Sequence, residues 1–151
     1  MLAGYSIPFE WNTEHPARVG LCPRNGSGAD TIWCDIDPCY VFHPANAFEN
    51  EEGKVIVDLV VHDSMYARSP LGPDSKHSCL ERWTIDPTTS AVQRRVIHDH
   101  KQEFPRYDER RSCQDYRSIY ALALPPEDYV ELTLGSNQPF KHDLSNNRDE
   151  E

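Results

Sequence analysis

The chain reads as an all-β protein built from short antiparallel strands. Three observations predict this. Twelve prolines and seven glycines break the pattern at short intervals, and proline removes a backbone donor that a long helix would need. No segment sustains an apolar period of 3.6, so helix should be scarce. The apolar runs that do occur are short, extended in character and separated by turn residues.

The elements follow in order. Asn25-Gly26-Ser27-Gly28 has turn composition. Cys39-Tyr40-Val41-Phe42 is an apolar run that ends on His43, ahead of Pro44 and Asn46. Glu49, Glu51 and Glu52 read as a solvated turn rather than a metal site, and Val55 to Val61 (VIVDLVV) reads as a fully buried central strand. Leu80 to Asp86 (LERWTID) runs into Pro87-Thr88-Thr89-Ser90 and is followed by an extended Ala91 to Ile97, the pattern of an antiparallel hairpin. Further strands are expected near Tyr116 to Leu124, Tyr129 to Leu134 and Phe140 to Leu144. Residues 146–151 hold no apolar member and should fray, leaving residues 1–145 as the domain. A length of 151 residues suits one domain that buries about two thirds of its unfolded surface. No internal repeat stands out, which does not exclude a propeller with diverged blades.

Charge narrows the partners. With 25 acids against 15 Lys plus Arg, the formal net charge is −10. Such a surface repels phosphate, so nucleic acid is discarded as a partner. The same charge opposes docking of a polybasic segment on anionic lipid, leaving membrane-surface contact open only through an apolar patch. The start, MLAGYSIPFEW, lacks the basic opening, apolar run and cleavage site of a signal peptide, and no apolar stretch approaches the ~20 residues that span a bilayer. The expectation is a cytoplasmic chain. Five cysteines without a CxxC pair suit reduced, buried thiols better than a disulfide framework or a zinc knuckle.

The chemistry-bearing candidates are few. A histidine closing an apolar segment, as His43 does, is ordinarily a satisfied core residue. His98-Asp99-His100 sets two imidazoles on one face of an extended strand, a spacing able to chelate a metal but common on exposed hairpin ends. A serine hydrolase reading fails for want of a Gly-x-Ser-x-Gly elbow, and no nucleotide-binding loop is present. Glu103-Phe104-Pro105-Arg106 remains, an acid ahead of an apolar residue and proline.

Four segments change the weight of these candidates. Arg18-Val19-Gly20-Leu21-Cys22-Pro23-Arg24, Phe42-His43-Pro44-Ala45-Asn46-Ala47-Phe48-Glu49, Leu80-Glu81-Arg82-Trp83-Thr84-Ile85-Asp86-Pro87 and Glu103-Phe104-Pro105-Arg106-Tyr107-Asp108 stand in the order and spacing of the carotenoid cleavage oxygenase family, also called the retinal pigment epithelial membrane protein family. The chain resembles that family from about Phe9 to Leu144, less closely after Arg111, where Tyr116-Arg117-Ser118-Ile119-Tyr120 replaces a more aromatic strand. The resemblance implies an incomplete portion of a seven-bladed β-propeller. It also implies a non-haem Fe(II) held by four histidines, three of them oriented by glutamates, that cleaves a conjugated alkene such as a carotenoid, apocarotenoid or stilbene into two carbonyl products. By motif, His43 resembles one of the four ligands, and Glu103 resembles the acid that supports it. The expected geometry is a hydrogen bond of roughly 2.6–3.2 Å between the Glu103 carboxylate and one ring nitrogen of His43.

Family members are several times longer, and His15, His62, His77, His98, His100 and His142 match none of the other ligand contexts. One imidazole does not hold iron with useful affinity, so the expectation is a middle piece of a dioxygenase, inactive alone and completed by the missing part of the propeller. The alternative is a non-catalytic, propeller-derived interaction module that associates with a partner or with itself through open strand edges.

Overall fold

The computed structural model describes residues 10–68, 74–124 and 139–146. These form nine strands in three antiparallel sheets, and the only helical pieces among the described residues are three single 3-10 turns. Strands β1 (Ala17–Leu21) and β2 (Ile32–Ile36) pair as a ribbon. Strands β3 (Pro44–Glu49), β4 (Val55–His62), β5 (Ser78–Asp86) and β6 (Ala91–His98) run as a four-stranded meander. Strands β7 (Gln102–Tyr107), β8 (Ser118–Ala123) and β9 (Pro139–Asp143) make the third sheet. Within each sheet consecutive strands pair, the up-and-down order of propeller blades.

Alternation along β4 explains how the sheets stack, because successive side chains leave a strand on opposite faces. Ile56 and Val60 join Ala45, Phe48, Leu80, Tyr116 and Ile119 in one core, against the β7–β9 sheet. Leu59 and Val61 join Cys34, Trp83 and Ile85 in the other, with Val19, Ile32 and Ile36 of the β1–β2 ribbon packed on it. Strand β4 is therefore buried on both faces, which is why VIVDLVV is a continuous apolar run rather than an alternating one. Its single acid faces the first core. Asp58 is fully buried and takes a bidentate pair from Arg82, its cross-strand partner, with both contacts at 2.8 Å. The Tyr116 hydroxyl donates to the same carboxylate at 2.6 Å.

Turn chemistry closes the hairpins where the sequence placed them. Asp86 Oδ1 accepts from the Thr88 and Thr89 N–H groups at 2.8 and 3.3 Å. Between β3 and β4 the chain turns through Gly53 at φ 73°, a left-handed conformation that glycine adopts without a Cβ penalty.

The strand expected at 55–61 runs one residue further, those at 80–86 and 91–97 are β5 and β6, and those near 116–124 and 140–144 are β8 and β9. Strands β1, β2, β3 and β7 lie outside the expected set. The one expected at 129–134 lies outside the described residues, as does the tail beyond Asn146, itself the last residue of the 3-10 turn Leu144–Asn146. All five cysteines are free, but only Cys34 and Cys79 are buried; Cys22 and Cys113 are exposed. No helix among the described residues is long and apolar enough to cross a membrane.

Candidate metal centre

His43 stands one residue before β3, at the edge of the meander. Its position is set by backbone pairing. Tyr40 and His62 exchange N–H···O bonds of 2.9 and 2.8 Å, and the His43 carbonyl accepts from the Val60 N–H at 3.3 Å. The segment from Tyr40 to His43 is thereby laid along the end of β4, which brings His43 beside His62. Glu103 is the second residue of β7, in the neighbouring sheet. The register of β7 on β8 shifts between Glu103 and Arg106, and Phe104 takes φ 56°. A non-glycine residue in this region costs on the order of 1–3 kcal/mol and persists where its surroundings impose it. Here the kink turns the Phe104 N–H back onto Glu103 Oε2 at 2.8 Å.

The Glu103 carboxylate is 2% exposed and takes two further bonds. His43 Nδ1 lies 2.9 Å from Oε2, and His62 Nε2 lies 2.6 Å from Oε1. The contact expected between His43 and Glu103 is present; the second imidazole is not one the sequence pointed to. Burial alone would raise the Glu103 pKa, but the bonds from His62, the Phe104 N–H and His43 outweigh it and hold the carboxyl below its ordinary value of 4.5. An ionised carboxylate can only accept, so His43 donates from Nδ1 and His62 from Nε2. In the neutral ring this bond leaves the lone pair of His43 on Nε2, the arrangement a metal-binding imidazole needs. His43 keeps 48% of its side chain exposed, whereas His62 keeps 6%. The Nδ1 of His62 is buried without a hydrogen-bond partner among the described residues.

Apolar rings surround the pair. Phe104 lies 5.1 Å from the His43 ring, and Phe42 meets the His62 ring edge-on at 5.4 Å. Asn46, the polar residue of the Phe-His-x-x-Asn-Ala stretch, points away from this centre. Its amide donates to the Arg111 and Gln114 carbonyls and accepts from the Cys113 N–H, each at 3.2 Å. Asn46 therefore clamps the loop after β7 to β3, holding together the two sheets that supply His43 and Glu103.

The donor set bears on whether iron fits. His43 offers one oriented imidazole with an accessible ring nitrogen, and His62 is turned onto the carboxylate. The described residues thus fit one ligand position and its support, not a whole coordination sphere.

The other histidines lie elsewhere. His98 packs against His100 and His142, with ring centres 4.8 and 4.5 Å apart, and His142 meets the Gln102 amide oxygen at 2.7 Å. Burial and the neighbouring His98 depress His142 to a pKa of about 4. The unfolded chain takes that proton at the ordinary 6.5, so the unfolded state binds more protons in between and stability falls with pH. Unfolding free energy measured in urea should decline from about pH 6.5 towards 4, and His142→Asn should flatten that slope. An unchanged slope in the variant would assign the loss to other groups.

Comparison with known proteins adds a second line of observation. The profile of the retinal pigment epithelial membrane protein family matches residues 1–151. Over 123 residues the chain is 41% identical to the carotenoid cleavage oxygenase of Mycobacterium tuberculosis (strain CDC 1551 / Oshkosh), covering 78% of this chain and 24% of that protein. It is 30% identical over 126 residues to the apocarotenoid-15,15'-oxygenase of Synechocystis sp., with coverages of 79% and 25%. It is 27% identical over 154 residues to resveratrol cleavage oxygenase 1 of Aspergillus fumigatus, with coverages of 91% and 31%. Among solved structures, cobalt-substituted Synechocystis ACO superposes with a TM-score of 0.70 at 26% identity, over 89% of this chain and 28% of that one. The chain spans about a quarter to a third of the length of these curated relatives.

Proposed function

Since the chain belongs to the retinal pigment epithelial membrane protein family along residues 1–151, we propose that it contributes one histidine ligand, His43, and that ligand's carboxylate support, Glu103, to a non-haem Fe(II) centre. When bound, the iron would supply the dioxygen chemistry that splits a C=C bond of a carotenoid, apocarotenoid or stilbene-like substrate into two carbonyl products. The observation that carries this reading is the buried Glu103 carboxylate 2.9 Å from Nδ1 of a half-exposed His43. That bond fixes the tautomer in which Nε2 can face a metal. The aromatic side chains of Phe42 and Phe104 limit water around the imidazole and suit an apolar, conjugated substrate.

The reading has the chain inactive by itself, since a single oriented imidazole does not hold iron. The remaining ligands come from the rest of the propeller, which also covers the outer edges of β3 and β6, the end strands of the meander. A non-catalytic module would explain strand edges left unpaired among the described residues, but it gives no reason to bury a carboxylate under two imidazoles.

The test is a chimera in which this chain replaces the matching quarter of the Mycobacterium tuberculosis carotenoid cleavage oxygenase. The chimera should bind iron and cleave an apocarotenoid, and His43→Ala in it should abolish both. Equal iron content and turnover in the His43→Ala chimera would overturn the assignment. Stoichiometric, tightly held iron on the isolated chain would overturn its incompleteness.

A further inference from the structure

A second group of metal-binding side chains lies outside the His43–Glu103 centre, at the end of the β5–β6 hairpin. We propose that His77, Cys79 and Asp99 form a binding site for a zinc-type divalent cation, with its fourth position open to water. The backbone brings the three together. Leu80 and His98 are paired residues of β5 and β6, so one step outward along the antiparallel register Cys79 stands opposite Asp99. His77 lies two residues before Cys79 and therefore shares its face. Between Leu80 and Glu81 the register shifts, and such a bulge at a strand end re-aims the side chains beyond it.

The side chains confirm the convergence. One nitrogen of His77, the Cys79 sulfur and one oxygen of Asp99 all lie within 4.8 Å of one another, and His77 Nε2 is 3.1 Å from Asp99 Oδ1. Metal–ligand bonds of about 2.0–2.3 Å place tetrahedral ligand atoms roughly 3.3–3.8 Å apart, so closure needs a contraction of an ångström or so. His77 and Asp99 can supply it, being 54% and 72% exposed, while Cys79 is held in the sheet at 4%. A thiolate, an imidazole and a carboxylate are the mixed set that zinc accepts and that magnesium and calcium do not. On binding, Cys79 gives up its S–H and the 3.5 Å bond that this group donates to Glu81 Oε1; the proton leaves to solvent and a metal–sulfur bond forms, with no change of oxidation state. In the His98-Asp99-His100 stretch of this hairpin, the residue between the two histidines is the one that converges with other ligands.

Cobalt(II) is the probe, because a cobalt–thiolate bond gives a near-ultraviolet charge-transfer band. The full chain is titrated in a Cys22→Ser, Cys113→Ser, His43→Ala background, which removes the exposed thiols and the proposed iron ligand. One equivalent of cobalt should produce the band, and zinc should displace it. Cys79→Ser should abolish the band. His77→Ala, an exposed change that leaves the core intact, should keep it but weaken cobalt affinity on the order of tenfold or more. Absence of the band, its persistence in Cys79→Ser, or unchanged affinity in His77→Ala would overturn the site, and none of these outcomes bears on the role of His43.

Discussion

Replacing Asp58 by Ala should cost about 3–5 kcal/mol of folding stability, the largest single-residue effect in this chain. The carboxylate sits under the first core with no solvent exposure and takes two bonds from Arg82 and one from Tyr116. Removing it leaves a guanidinium whose side chain is only 19% exposed without its counter-charge, and a buried phenol without its acceptor. Burial is the largest of the causes that push the Tyr116 hydroxyl above its ordinary pKa of 10, and it persists when Asp58 is removed, so the loss is not relieved by ionising a solvated phenol. Tyr116→Phe should cost about 1 kcal/mol, since one hydrogen bond is lost and the pair survives. Urea unfolding measures both. If Asp58→Ala cost no more than Tyr116→Phe, the pair would be dispensable to folding. The double replacement Asp58→Leu, Arg82→Met should recover most of the loss, because a buried pair exchanged for apolar side chains is often neutral.

Glu103→Gln should have the largest effect on the metal centre. In the chimera with the mycobacterial relative it should lower iron affinity about 10–100-fold while leaving the apolar packing in place. The reason is hydrogen-bond arithmetic. Three N–H groups, from His43, His62 and Phe104, converge on one carboxylate. An amide offers a single acceptor oxygen and turns an NH2 group towards a donor. One imidazole must then flip its tautomer or lose its partner, and in His43 the flip puts a proton on Nε2, the nitrogen the metal needs. On the isolated chain, ring nitrogen shifts in NMR should report His43 protonated at Nδ1 in the parent and a mixture in the variant. A variant that kept the Nδ1–H tautomer and full iron affinity would reduce Glu103 to a bystander. Glu103→Asp should rescue only in part, because the shorter side chain cannot span both rings.

The all-β class, the strand at 55–61 and the hairpin at 80–97 were legible because each rests on local pattern: the absence of a helical period, a continuous apolar run and a turn cluster; the propeller was implied only by the resemblance to a family. Strands β1, β2, β3 and β7 were not, because their patterns are short and interrupted. The Pro44–Glu49 and Gln102–Tyr107 strands each contain a proline and carry buried polar residues in Asn46, Gln102 and Glu103. These are poor strand sequences whose pairing is imposed by the neighbouring sheet. The motif around His43 and the acid of Glu103 were recognisable as a pair only through their resemblance to a family, not from spacing, since sixty residues separate them.

His62 was not legible in the sequence as part of the site. It terminates the buried β4 run as a polar residue where an apolar one would serve, which was the only available signal. Nothing local says what it touches. Its partner depends on the kink at Phe104, on the Tyr40–His62 bridge and on the Asn46 clamp, three features contributed by different sheets. The amino-acid sequence by itself determined many of the extended stretches and the motifs that carry the family likeness, because each is written within a few neighbouring residues. Only the tertiary structure decided that one carboxylate serves two imidazoles and that Asp99 pairs with His77, near Cys79, rather than with a flanking histidine. A hydrogen bond or a shared ligand position is fixed to within a few tenths of an ångström by strand register and sheet stacking, and those are set by the whole packed core.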